Sequence, residues 1–193
     1  RNPVVILADA VLGQMMEPVA ITREPQPVPA PAPWGARGTR KGSRSVINSL
    51  YIVPADLEAV NRRLAAKYAR MTREDVRWEA EAVDGAEAVF VAYGSAARIC
   101  RTAAANLRAQ GRRVGLFRPI TLYPYPYQAL RALSENVQKL FVVEFSLGQM
   151  IEDVRLAVEG RCPVEFYGRP GGAVPTPEEV VESFLAGGEP PMT

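Results

Sequence analysis

Hydrophobic and polar positions fall into regular blocks over the second half of the chain. Ala88 to Tyr93 is a short apolar run that predicts a strand. Ser95 to Gln110 follows at helical spacing and stops at Gly111, where a residue in the left-handed conformation closes a helix. Val114 to Phe117 predicts the next strand, and Tyr127 to Leu133 a short helix after a proline-rich turn. Leu140 to Phe145 predicts a third strand, Gly148 to Val158 an amphipathic helix with Ile151, Val154 and Val158 inward, and Val164 to Tyr167 a fourth strand. The last helix opens on Thr176-Pro177-Glu178-Glu179, which combines an N-cap Thr, Pro at the first helical position and a capping-box Glu, and it ends before Gly187-Gly188. Strand and helix alternate four times, so the predicted fold class is α/β, with a doubly wound, mostly parallel sheet covered by helices on both faces.

The first half reads differently. Val4 to Leu7 is a continuous aliphatic run, the pattern of a strand buried on both faces, and Val11, Leu12, Met15 and Met16 follow at helical spacing up to Pro18. Residues 1–20 therefore read as the last strand-and-helix piece of a domain whose other strands lie elsewhere, and the abrupt start at Arg1-Asn2-Pro3 reads as a piece cut from a longer chain. Every second residue from Pro25 to Pro33 is proline, which favours an extended spacer. Beyond Trp34, the cations Arg37, Arg40, Lys41 and Arg44 make a basic loop within 37–44. After Pro54, Asp56 is placed to N-cap a helix ending near Thr72, with Leu57, Val60, Leu64, Tyr68 and Met71 as its apolar stripe and Arg62, Arg63, Lys67 and Arg70 on the wet side. The polar stretch from Val76 to Asp84, with Trp78, reads as an approach to the next domain. The expected organisation is 1–20, a linker and helix over 21–85, and an α/β domain over 86–193.

Composition narrows the chemistry. The 193 residues are 48% hydrophobic and 23% charged with a formal net charge of +2, ordinary for a globular chain. There is no histidine, which removes Ser-His-Asp triads, Cys-His dyads and His-ligated zinc together. Cys100 and Cys162 stand far apart with no CxxC, so the chain by itself builds neither a zinc knuckle nor an iron–sulfur site, and no metal site is expected. No apolar run approaches the ~20 residues of a membrane span, no basic-then-apolar leader opens the chain, and the near-neutral charge without interleaved aromatics argues against nucleic acid. A cytoplasmic protein with no membrane and no nucleic-acid partner is expected.

In doubly wound sheets ligands and partners meet the carboxyl ends of the strands. Those ends are Tyr93-Gly94-Ser95, Arg118-Pro119-Ile120-Thr121, Glu144-Phe145-Ser146 and Tyr167-Gly168-Arg169. Gly94 is free to take positive φ and Ser95 is placed to cap, which leaves the reading open between a plain helix cap and an anion contact. Arg118 and Glu144 are expected to form an ion pair that orders the loops above the sheet. Gln149, at the start of the next helix, offers an amide to a neighbouring chain or a ligand. The run Leu122-Tyr123-Pro124-Tyr125-Pro126-Tyr127 suits a protein interface or a rigid loop folded on its own core, and both readings stand.

Four blocks carry a resemblance: Val91 to Arg98 (VAYGSAAR), Gly111 to Thr121 (GRRVGLFRPIT), Leu122 to Pro126 (LYPYP) and Val142 to Arg155 (VVEFSLGQMIEDVR). In this order the chain resembles the alpha subunit of the 2-oxoacid:ferredoxin oxidoreductases, of the 2-oxoglutarate or 3-methyl-2-oxobutanoate type. Pro3 to Val19 is similar to the end of that subunit's pyrimidine-binding domain, and 86–193 to the transketolase C-terminal-like domain.

The resemblance implies part of a thiamine-diphosphate enzyme that decarboxylates a 2-oxoacid, passes the acyl group to coenzyme A and sends electrons to ferredoxin. It implies thiamine diphosphate, Mg and [4Fe-4S] in the full complex, coenzyme A as co-substrate, a beta subunit and gamma and delta subunits as partners, ferredoxin reached through the complex, and homodimerisation. It also implies that the glutamate activating the aminopyrimidine lies upstream of Arg1, so this stretch carries no catalytic residue and is inert alone, serving assembly and completion of the site. Strand-end position and resemblance together make Gly94, Ser95, Arg98, Arg118 and Thr121 candidate anion, coenzyme A or inter-domain contacts, and Tyr123, Tyr125, Tyr127, Glu144 and Gln149 candidate interface residues. The competing expectation is an anion- or CoA-binding α/β module without catalysis.

Overall fold

The computed structural model describes residues 3–18, 20, 35 and 47–188. The alternating prolines of 25–33, Trp34 and the basic cluster of 37–44 lie outside the described residues. The chain divides into two compact units, Arg1–Arg63 and Leu64–Thr193. The elements in chain order are α1 (Ala10–Gln14), α2 (Pro54–Glu74), β1 (Trp78–Glu81), β2 (Ala88–Val91), α3 (Gly94–Ala109), β3 (Val114–Pro119), α4 (Tyr127–Ser134), β4 (Lys139–Glu144), α5 (Met150–Val158), β5 (Val164–Gly168) and α6 (Pro177–Ala186).

In the first unit the expected strand at Val4–Leu7 does not form. The four side chains are 73–91% exposed, because no described strand lies beside them to take their backbone hydrogen bonds. The short helix α1 is capped by Asp9, whose carboxylate accepts from Leu12 N at 2.7 Å. The helix α2 corrects the placing of its start. It opens on Pro54, so Asp56 lies within the first turn and its N–H donates to Val53 O at 3.1 Å. Proline at the first helical position costs nothing there, since its missing N–H would have had no partner.

In the second unit one five-stranded sheet has the order β1-β3-β2-β4-β5. β2 to β5 run parallel, while β1 pairs antiparallel with β3 at the edge. Within the polar stretch 76–84, Trp78–Glu81 is therefore a strand and not merely an approach. Its WEAE sequence alternates apolar and polar residues over only four positions, and Trp78 and Ala80 stay exposed while Glu81 is half-buried.

The two core clusters show why the helices lie where they do. Ala88, Phe90, Leu116, Phe141 and Val143 face α3 and α6, joined there by Cys100, Leu107, Val180 and Phe184. Val89, Val91, Phe117, Leu140 and Val142 face α4 and α5, against Leu130, Ile151, Val154 and Val158. Strand alternation thus divides each run between two helical layers. Phe90, Phe141 and Phe184 meet edge to face at 5.3–5.6 Å between ring centres, an arrangement favoured by the ring quadrupole.

The end signals work as the sequence predicts. Gly111 takes φ +83° after α3, with its N–H on Arg108 O (2.9 Å) and Arg112 N on Leu107 O (3.0 Å). At α6, Thr176 and Glu179 complete the reciprocal capping box ahead of Pro177. At Gly115 a Cβ atom would stand 2.7 Å from Ala82 O and 3.1 Å from Glu81 O. Gly115→Ala is expected to cost about 1–3 kcal/mol of unfolding free energy, read as a lower urea midpoint at unchanged slope; a midpoint equal to the parent's overturns this account.

Candidate functional site

Chain order and sheet order diverge between β2 and β4: α3 carries the chain from β2 to β3 on one side, and α4 returns it past β2 to β4 on the other. A crevice opens at the carboxyl ends of strands at such a switch point. On the β2 side, α3 begins at Gly94 with φ +55°. Its N-cap is Tyr93, which makes no side-chain capping bond. Ser95 therefore sits in the first turn and is not the cap, since Gly94 supplies the turn and takes the first helical position. Arg98, one turn on, is exposed.

On the β4 side stands Glu144, 1% exposed. Its Oε2 accepts from Ser146 Oγ (2.9 Å), Gln149 N (3.1 Å) and Met150 N (2.9 Å), and its Oε1 from Ile151 N (2.9 Å). A carboxylate from the neighbouring strand thus caps α5, whose own N-cap residue Gln149 makes no side-chain bond. The positive end of the helix favours the charge and the N–H groups replace its lost water. Burial, and then the charge of Glu144, push the Tyr93 hydroxyl above the ordinary tyrosine range.

The expected Arg118–Glu144 ion pair does not form. β2 lies between β3 and β4, and the two side chains leave opposite faces of the sheet: Arg118 shares the face of Leu116, under α3, and Glu144 that of Val142, under α5. Arg118 instead pairs with Glu79 of β1 at 2.7 Å. Next to it Glu81 receives Arg101 of α3 in a two-pronged pair, with Nε at 2.8 and 3.0 Å, and this holds the Glu81 carboxyl below its usual range. Sequence reading missed Glu79, Glu81 and Arg101, because only the antiparallel pairing of β1 brings them to Arg118. Thr121 also turns to β1, its Oγ1 accepting from Arg77 N at 3.0 Å.

The tyrosine run divides. Tyr123, which precedes a cis peptide bond to Pro124, is 66% exposed and meets Tyr68 edge to face at 6.2 Å. Tyr125 is 4% exposed, packs on Tyr127 at 5.1 Å, and leaves its hydroxyl without a partner, so burial drives its ionisation well above the usual range. Tyr127 donates its hydroxyl proton to Asp153 of α5. That bond, then burial and the charge of Asp153, push the Tyr127 hydroxyl up to about 12. Gln149 is exposed and Glu144 is not, so within this chain only the amide of that pair reaches the surface.

Chemically the arrangement holds and orients. Glu144 has four donors on it and is not disposed as a base, and among the described residues no three His, Cys, Asp or Glu side chains converge on a metal position. Cys100 and Cys162 are free and buried, and burial raises both thiols above the ordinary range.

Comparison with known proteins gives a consistent picture. The model of the pyruvate:ferredoxin oxidoreductase core domain II matches residues 86–180. Ketoisovalerate oxidoreductase subunit VorB of Methanothermobacter thermautotrophicus is 42% identical over 184 residues, 95% of this chain and 52% of that one. The 2-oxoglutarate synthase subunit KorA of Methanocaldococcus jannaschii is 30% identical over 208 residues, 96% of this chain and 56% of that one. Among solved structures, the 2-oxoglutarate:ferredoxin oxidoreductase of Magnetococcus marinus with 2-oxoglutarate, coenzyme A and succinyl-CoA bound superposes with a TM-score of 0.61 at 26% identity, over 75% of this chain and 25% of that one. The chain spans about half the length of the curated relatives it matches.

Two measurements test the site. Glu144→Gln places an amide NH₂ against N–H donors and is expected to cost about 2–4 kcal/mol, with faster hydrogen exchange at Met150 and Ile151; unchanged exchange there refutes the carboxylate cap. Because the folded chain holds the Tyr127 proton more tightly than the unfolded one, that contribution is complete below the ordinary tyrosine pKa of ~10 and is lost as pH rises toward about 12. A difference titration at 295 nm between parent and Tyr127→Phe should therefore show one tyrosine ionising near the upper value, and a difference centred on an ordinary tyrosine contradicts the Asp153 bond.

Proposed function

We propose, from the premise that this chain belongs to the subunits of the 2-oxoacid:ferredoxin oxidoreductases, that it forms part of an enzyme converting a 2-oxoacid and coenzyme A to acyl-CoA with electrons passed to ferredoxin, and that these residues serve assembly and completion of the site. The observation that carries the assembly role is that the charged groups along the carboxyl ends are satisfied inside the chain: Glu144 by α5 and Ser146, Arg118 by Glu79, and Arg169 by Tyr167 and Glu179. Groups so committed hold loops in place and are not free to move protons.

Thiamine diphosphate, bound with Mg, supplies the carbanion chemistry in such an enzyme, and [4Fe-4S] clusters carry the electrons. The described residues do not fit these groups. Buried Cys100 on α3 and buried Cys162 in the loop before β5, with no convergent acidic cluster among the described residues, leave nothing there to ligate Mg or a cluster, and Glu144, fully hydrogen-bonded, is not available to activate a pyrimidine. In this reading beta, gamma and delta subunits and the remainder of the alpha subunit hold them, in a cytoplasmic complex. What this chain's own residues do is orient: Glu144 fixes the 145–149 segment above the sheet, Thr121 and Arg118 fasten the loop after β3 to β1, and Tyr127 ties α4 to α5.

A second reading, a coenzyme A site at α3, draws on one observation, the absence of a side-chain cap at Tyr93. Calorimetry with coenzyme A separates the two, since the assembly role expects no saturable heat from this polypeptide and the second reading requires it. For the main reading, the full-length subunit assembled with its neighbouring subunits is expected to reduce a viologen dye only with a 2-oxoacid, coenzyme A and thiamine diphosphate present. An assembled, iron–sulfur-containing complex inactive with every 2-oxoacid tried sinks it, as does acyl-CoA synthesis by this polypeptide alone.

A further inference from the structure

The amino ends of β2, β3 and β4 lie level, since Ala88 is the register partner of both Val114 and Lys139. The crossovers therefore bring three separated stretches together at the end of the sheet away from the crevice: Glu87, Arg112 with Arg113, and Gln138 with Lys139. Backbone bonds fix them there, Glu87 N donating to Arg113 O and Gln138 N to Glu87 O, each at 2.8 Å. With Phe184 of α6 these residues line a cavity of about 90 Å³, room for several waters and so for an oxyanion of five heavy atoms.

The walls carry more positive than negative charge. Glu87, the one carboxylate on the lining, is held through Oε1 by Arg113, with Nε at 3.1 Å and Nη2 at 2.5 Å. Lys139 gives one proton to Glu165 at 2.6 Å and stands 4.4 Å over the Phe184 ring, which leaves two ammonium donors. Arg108 lies alongside, its Nη1 donating to Val114 O at 2.8 Å. Arg112 completes the group. Its backbone N–H is held on Leu107 O at 3.0 Å by the turn that ends α3, yet its guanidinium has no hydrogen bond or ion pair among the described residues. Every other arginine from Trp78 to Gly188 is engaged. A solitary surface arginine is ordinary; here a five-donor fork stands beside two further cations around a concave volume, whose walls concentrate the field.

We propose that this cavity binds a phosphate group, as free orthophosphate or as the end of a phosphomonoester, with Arg112 as its principal ligand and Arg113 Nη1, Lys139 and the Gln138 amide as further donors. The planar guanidinium matches two oxygens of a tetrahedral anion. Glu87 is already offset by Arg113, so the wall it belongs to does not repel the anion outright. The site lies at the opposite end of the strands from the crevice and from the start of α3, and it is independent of the oxidoreductase reading.

Cations are also favoured at the carboxyl end of a helix, where Arg112 follows α3, and the test separates that role from binding. In the full-length chain, calorimetry with orthophosphate at fixed ionic strength is expected to show saturable binding, and the thermal midpoint to be higher in phosphate than in chloride. Arg112→Ala is expected to weaken the binding by about tenfold or more and to abolish the phosphate-dependent rise, with circular dichroism unchanged. Arg112→Lys, which keeps the charge without the fork, is expected to fall between. Arg73→Ala, which removes an exposed cation of α2, is expected to leave the binding as it is. AMP that displaces orthophosphate assigns the cavity to phosphomonoesters as well, and AMP that does not assigns it to the free ion. No saturable heat, an equal loss in Arg73→Ala, or a midpoint lowered alike in phosphate and chloride by Arg112→Ala overturns the proposal. With the cavity saturated by orthophosphate, heat from coenzyme A reports the α3 reading alone.

Discussion

The constraint on which the upper side of the sheet depends is the burial of a charge. Glu144 ends β4 with its carboxylate nearly sealed from water, a position that is unfavourable by several kcal/mol unless every lone pair finds a donor. The donors come from the first turn of α5 and from Ser146, so the strand can end there only if the helix begins where it does. That bond set fixes the turn of 145–149, and close packing below fixes the rest: a Cβ on Gly168 would stand 2.5 Å from Ser146 O. A helix start that is open to anions in many α/β proteins is here filled from within.

The same logic organises the other face. Arg118, placed by strand alternation under α3, meets Glu79 of the edge strand, and Glu81 beside it meets Arg101. These pairs are partly exposed, so each contributes little to stability. Their consequence is geometric, since they fasten the antiparallel strand to the parallel sheet, where Thr121 of the loop after β3 meets Arg77. A domain whose crevice groups are paired in this way is suited to holding a surface in a fixed shape for other parts of a complex, the role proposed for it.

Both of the fold's commitments leave something outside. Glu79 and Glu81 are held by Arg118 and Arg101 at the sheet edge, and the tyrosine loop gives up Tyr125 to the core while Tyr123 stays at the surface. Of the three tyrosines in that run, Tyr123 is thus the exposed one, in ring contact with Tyr68 of α2.

The sequence by itself determined the alternation of strands and helices from Ala88 to Ala186, the helix boundaries at Gly111 and Thr176, and the absence of histidine chemistry, because these follow from local periodicity, capping and composition. It also supplied the family, through four short blocks in order. It did not determine β1, whose four residues Trp78 to Glu81 alternate too briefly to mark a strand at the edge, nor the fate of Val4–Leu7, whose aliphatic run forms no strand without a neighbour. It named Arg118, Glu144 and Thr121 but not what they touch. Their partners depend on strand order and sheet face, which arise from the crossover past β2 and are not written in any local stretch; only the tertiary structure turned Glu144 inward to α5 and Arg118 outward to Glu79.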